Sequence, residues 1–234
     1  DNVLLTIDSS GSGLNKRGYR LAQGEAPIKE TLAASLIRLA NWKGDSPLID
    51  PFCGSGTIAI EACLIAQNIA PGFNRDFVSE EWNIMPPNIY DELRDEADRM
   101  ADYDKEIEVY ASDIDPEMVE IAKRNAEEVG LGDIIQFNVK DVNTLTIDSE
   151  GPVALVGNPP YGERIGDREE VEEMYRYIGS LMKQHPYLST YILTSNKEFE
   201  YLVNRKATKR RKLFNGYIEC TYYQYWGKKP DFKN

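Results

Sequence analysis

A chain of 234 residues with 41% hydrophobic content can bury one substantial core, or a core plus a small appendage, and no apolar run approaches the ~20 residues of a membrane span. No signal peptide is legible, and Cys53, Cys63 and Cys220 form neither a paired framework nor a metal spacing, so a reducing, cytoplasmic protein is expected. The only histidine, His185, precedes Pro186 at an expected helix end and reads as structural, which argues against a His-rich metal site or a His-based triad; no metal is expected.

The net charge of −12 argues at face value against a nucleic-acid partner, but its distribution does not. Residues 91–108 hold nine acidic and three basic residues, net −6, and read as a solvated helix and loop. Residues 204–234 hold nine basic residues against Glu219 and Asp231, net +7, with Lys209, Arg210 and Arg211 at the centre. That cluster is a candidate RNA contact or a solvated edge; local potential steers a polyanion more than net charge does.

In chain order, Val3–Ile7 is strand-like, and a segment from Ala26 opens a helix before the first buried strand, Pro47–Phe52. A glycine turn and a helix through Ile58–Ala66 follow. The second strand, Ile107–Asp113, leads to a helix with a marked start: Asp115 at the N-cap, Pro116 in the first turn, Glu117 near the positive end of the dipole, and Gly130 closing it. Strands are expected over 134–142, 153–157 and 188–194, with a helix over 168–184 between the last two. This alternation predicts a parallel sheet covered on both faces.

The chain end breaks the pattern. Lys212-Leu213-Phe214 and Tyr217–Tyr225 flank Asn215-Gly216, a strong hairpin signal, so the last two strands are expected to be antiparallel. One reversed hairpin ending a doubly wound α/β sheet resembles the Rossmann-like class I S-adenosylmethionine-dependent methyltransferases.

The turn after the first strand, Asp50-Pro51-Phe52-Cys53-Gly54-Ser55-Gly56-Thr57, supports that cofactor over a nucleotide. Gly54 and Gly56 let the backbone approach a ligand, but the Gly-Lys-Ser/Thr of a phosphate loop and the third glycine of a dinucleotide fingerprint are both missing. S-adenosylmethionine carries an ammonium, which Asp50 can accept from, and a carboxylate, favoured by helix N–H groups near Gly56 and Thr57. Asp113 is placed to accept from both ribose hydroxyls, Ile114 to lie on the adenine face, and Asp141, with Val142 beside it, to accept from the adenine amino group. Each acid alone is more often a cap or turn residue; three at successive strand ends share the rim where open sheets bind ligands.

Asn158-Pro159-Pro160-Tyr161, directly after the apolar run 153–156, is the candidate catalytic element. A planar amino nitrogen is a poor nucleophile because its lone pair is delocalised. The Asn158 side-chain oxygen and the Pro159 carbonyl can take its two N–H bonds and favour a pyramidal nitrogen. Pro159 and Pro160 remove two backbone donors, and Tyr161 offers a ring on which a base can stack. A tight turn ending a strand is the competing reading of these four residues.

Lys16-Arg17-Gly18-Tyr19-Arg20, Ala26-Pro27-Ile28-Lys29-Glu30-Thr31-Leu32-Ala33, the octapeptide from Asp50 continuing through Ile58–Ala62, and Asn158–Arg164 together resemble the THUMP-associated RNA guanine-N2 methyltransferases, nearest to the bacterial enzymes acting on 23S ribosomal RNA. The resemblance implies S-adenosylmethionine bound along the rim of the octapeptide, Asp113 and Asp141, with Ala26–Thr31 closing over the methionine end. It implies a base of 23S rRNA, or of a ribosome assembly intermediate, flipped toward Asn158 and Tyr161. Adenine N6 methylation of DNA or RNA, glutamine N5 methylation in protein, and a non-catalytic RNA-binding module are the alternatives. The expected organisation is an N-terminal strand and helix over 1–46 and a catalytic core over 47–234 with an insertion at about 68–105. Nothing in the chain resembles the THUMP module, so a catalytic fragment is expected.

Overall fold

The computed structural model describes residues 2–20, 28–162 and 168–229. Helix α1 (Glu30–Ala40) precedes β1 (Leu48–Asp50) and α2 (Thr57–Ala66); a 3-10 turn at Val78–Glu81 and α3 (Ile89–Met100) come next. β2 (Val109–Asp113), α4 (Pro116–Glu127), β3 (Ile135–Val139), β4 (Val153–Gly157), α5 (Arg168–Gln184) and β5 (Leu188–Thr194) follow. A short α6 (Phe199–Leu202) leads to β6 (Lys209–Asn215) and β7 (Ile218–Tyr225).

One sheet runs β3-β2-β1-β4-β5-β7-β6, with β7 antiparallel to β5 and to β6 and the other pairings parallel. The chain leaves β1 toward β2 and β3, then returns to β4 on the other side of β1, so the switch point lies between the carboxyl ends of β1 and β4. Every residue of β1 and β4 is buried, as expected for strands covered on both faces. One face packs an apolar core that includes Leu36, Ile60 and Ala122 from α1, α2 and α4; the other packs Tyr175, Ile178 and Phe199 from α5 and α6. In α5 the buried Val171, Tyr175, Ile178 and Leu181 recur at helical spacing. In α4, Asp115 accepts from the Glu117 amide at 2.8 Å, the N-cap read from the sequence.

Several expectations shift. Val3–Ile7 joins no strand among the described residues, and Val3, Leu4, Leu5 and Ile7 are each more than four-fifths exposed: an apolar segment forms a strand only where an edge receives it. The sheet is not fully covered on both faces, because β3 returns to β4 through only a 3-10 turn at Val142–Thr144. That leaves a groove of about 580 Å³ beside Ile49, Tyr110 and Leu145. At the chain end the hairpin turn is Gly216-Tyr217, with Asn215 paired to Ile218, one residue later than the sequence suggests. A positive φ at Gly216, the first loop position, suits glycine there and leaves Asn215 in the ladder.

Lys16–Arg20 is a clamp on α2. Arg17 Nε lies 3.3 Å from the buried Glu61 carboxylate, Tyr19 donates to the same carboxylate at 3.1 Å, and Arg20 donates to Thr57 Oγ1 at 2.7 Å. Gly18 has φ of +96° and no room for a Cβ, which would lie 2.0 Å from the Asn74 carbonyl oxygen. Arg75, between α2 and α3, donates to the carbonyls of Ser10, Ser12, Gly13 and Lys16 and stacks over Phe77. Arg75 therefore pins the N-terminal segment, and Phe77 beneath it is stacked with Tyr90.

Candidate active site

At the switch point lies a cavity of about 380 Å³. Phe52, Cys53, Gly54, Ser55 and Thr57 line it from the β1 turn, Asp113 and Ile114 from β2, Asp141 and Val142 from β3, and Asn158 and Pro160 from β4. Ile28, from the Ala26–Thr31 segment, joins Met118, Lys140 and Met174, which sequence reasoning did not single out, in completing much of the wall. Ile114 is 69% exposed, an apolar side chain held open beside two acids.

The two glycines of the turn separate. Gly54 (φ +50°) faces open space, whereas a Cβ on Gly56 (φ +84°) would meet Ala122 Cβ of α4 at 3.0 Å. Gly56 is thus needed for the α2–α4 approach and does not line the cavity. Gly157, at the end of β4, has its own constraint: a Cβ there would fall 2.8 Å from the Phe52 ring. Close contact between these two strand ends brings the β1 turn against Asn158.

Asp113 is engaged twice. One carboxylate oxygen accepts from Gly54 N at 2.9 Å and the other from Asp115 N at 3.1 Å, so it ties the glycine turn to β2 while keeping its remaining lone pairs for a ligand. Asp141 caps its own 3-10 turn through Asn143 N at 2.9 Å, leaving its other oxygen uncommitted among the described residues. Asp50 departs from expectation: it is fully buried and does not line the cavity. One of its oxygens accepts from Phe52 N at 3.2 Å, and the other has no partner among the described residues. Burial, with the nearby Asp113 charge adding to it, pushes this carboxyl up to about 8. Thr31, in the first turn of α1, is exposed and away from the cavity, and Ala26 lies outside the described residues.

Asn158–Tyr161 has a defined scaffold. The Tyr161 hydroxyl donates to Asn158 Oδ1 at 2.6 Å and accepts from Asn215 Nδ2 at 3.2 Å. The Tyr175 hydroxyl donates to the Pro160 carbonyl at 3.2 Å and lies 2.9 Å from Thr194 Oγ1. Pro159 is buried, and among the described residues no donor reaches its carbonyl. Burial first, and then Cys220 beside it, holds the Tyr161 hydroxyl far above its ordinary range, so it remains a donor. Its ring is half-buried against the core, a smaller stacking surface than an open tyrosine would offer.

The basic cluster divides by face. Arg210 is bound to Glu200 and Lys212 to Glu219, while Lys209 and Arg211 are exposed and form no ion pair among the described residues.

Residues 17–224 match the family model described as "RMKL-like, methyltransferase domain". YpsC of Bacillus subtilis, named for RNA methylation, is 58% identical over 228 residues, 97% of this chain and 59% of its own length. A ribosomal RNA large subunit methyltransferase K/L of Shewanella baltica is 40% identical over 226 residues, 94% of this chain and 32% of its own. Among solved structures, SMU.472 complexed with S-adenosylhomocysteine (SAH) superimposes with a TM-score of 0.90 at 44% identity, covering 96% of this chain and 59% of that one. A Listeria monocytogenes protein named as an N6-adenine-specific DNA methylase gives 0.89 at 52% identity, covering 95% and 57%. The chain spans about three-fifths of the length of some of these relatives and a third of others. It belongs to the RMKL-like methyltransferase family and has the class I S-adenosylmethionine-dependent methyltransferase fold.

Proposed function

We propose that this chain transfers a methyl group from S-adenosylmethionine to an exocyclic amino group in RNA, with guanine N2 of 23S rRNA as the target. The observation that carries the reading is Asn158, held by Tyr161, opening into the same cavity as Asp113, Ile114 and Asp141. Such a cavity fits an adenosine: acids for the ribose hydroxyls and the adenine amino group, and apolar side chains for the ring. The α2 N-terminus, entering through Thr57 and Ile58, suits a carboxylate. Asp50, behind the lining, acts on a bound ammonium by charge and not by direct contact.

When bound, S-adenosylmethionine supplies an electrophilic methyl group. Asn158 Oδ1, with one lone pair committed to Tyr161, accepts one N–H of the target amino group through the other, and the Pro159 carbonyl accepts the second. Both acceptors are fixed before the target arrives, which is how preorganised dipoles favour a transition state. The relatives named for RNA and for rRNA methylation support RNA as the substrate. The relative named for adenine N6 supports the principal alternative, since the tetrapeptide fits any planar amino group. Incubation of the full-length protein with labelled cofactor and 23S rRNA from a deletion strain, followed by nucleoside mass spectrometry, decides between them. N2-methylguanosine is the expected product; N6-methyladenosine would overturn the choice of base, and no RNA label would overturn the substrate.

A further inference from the structure

The β6–β7 hairpin extends past the sheet. The pairing of β5 with β7 ends at Thr194↔Thr221, whereas β6 and β7 remain paired through Leu213↔Cys220, Phe214↔Glu219 and Asn215↔Ile218. Three further pairs carry the ribbon about 10 Å beyond the carboxyl rim, the side on which Asn158 emerges. Tyr217 at the tip is fully exposed, Phe214 is 54% exposed and Ile218 is 38% exposed. These side chains gain little from folding where they stand.

The tip is joined to the active site through side chains. Asn215 donates to the Tyr161 hydroxyl, which donates to Asn158. Lys209 and Arg211 share the Asn215 face of the ribbon by strand alternation, giving a positive edge that leads to the tip. On the other face, Lys212 lies 5.4 Å over the Phe214 ring and offsets Glu219.

We propose that the hairpin tip, residues 214–218, is a stacking platform for unpaired RNA bases flanking the target, with Lys209 and Arg211 holding their phosphates. The proposal rests on the RNA reading above. An exposed ring on a two-residue hairpin turn stacks on any base, and a flipped target needs its neighbours held out of a duplex. Seated there, such bases hold the strand so that the extruded amino group reaches Asn158.

The test is fluorescence anisotropy of the full-length protein with a short unpaired oligoribonucleotide and with the same strand in a duplex, comparing Tyr217→Ala and Tyr217→Phe. Tyr217→Ala is expected to weaken unpaired-RNA binding about tenfold, with the phenylalanine variant within about twofold of the unaltered protein and SAH affinity and melting temperature unchanged. Unpaired-RNA affinity unchanged in Tyr217→Ala, or lost equally for the duplex, would overturn the platform while leaving RNA methylation standing. No RNA binding by the unaltered protein would remove the RNA reading and the platform together.

Discussion

The Tyr161 hydroxyl and Asn158 Oδ1 lie 2.6 Å apart, with tyrosine the donor. This fixes which end of the amide is the acceptor and aims it into the cavity. Removing the hydroxyl leaves Asn158 free to rotate without emptying the site. Tyr161→Phe should lower kcat about tenfold, in keeping with the loss of one buried hydrogen bond, with SAH affinity within a few-fold by calorimetry. An unchanged kcat would show that Asn158 is held by other means.

Asp50 links the site to pH. Its carboxyl is raised from 3.8 to about 8, so it is neutral in the unliganded protein at pH 7 but ionised in the unfolded chain. A raised carboxyl stabilises the fold fully below about 4, and that contribution is lost as pH rises toward 8. Unliganded stability should therefore decline over this window in urea titrations, and Asp50→Asn should flatten the decline. An approaching ammonium favours the ionised form, so SAH binding at pH 7 should release protons, seen as a binding enthalpy that changes with buffer. Identical enthalpies in buffers of different ionisation heat would show that Asp50 does not sense the cation.

Lys209 and Arg211 should carry the salt dependence of RNA binding that Arg210, bound to Glu200, does not. Neutralising the first two should reduce the salt slope by about 0.7 for each phosphate that these side chains engage. Arg210→Gln should leave it close to that of the unaltered protein. Equal effects of all three in salt titrations would return the cluster to general electrostatics.

Glu61 is buried beneath Arg17 and Tyr19. Glu61→Ala leaves a guanidinium and a phenol without their partner and should cost about 3–5 kcal/mol in urea unfolding. A destabilisation below about 1 kcal/mol, the range of an exposed ion pair, would mean that the Lys16–Arg20 segment does not clamp α2.

The strand–helix alternation with its reversed final hairpin, the Asp115 cap and the meeting of Asn158 with Asp113 and Asp141 were all legible, because each depends on local signals: buried apolar runs, caps and glycine turns. What the sequence hid was set by distant contacts. Gly56 answers to Ala122 and Asp50 to complete burial, neither of which spacing reveals. The Lys16–Arg20 motif could be read as part of a family resemblance, but not that Arg17, Tyr19 and Arg20 hold α2, since Glu61 and Thr57 lie far away in sequence. The hairpin shifted by one residue because Gly216 meets the first loop position with a positive φ, which frees Asn215 to bind Tyr161.

The most direct test of the amino-group cradle is single-turnover methyl transfer to rRNA by Asn158→Ala, with SAH affinity measured alongside. The rate should fall at least about 100-fold, as when a preorganised polar contact to the reacting group is removed, while SAH affinity stays within a few-fold. Transfer at close to the unaltered rate would contradict the account.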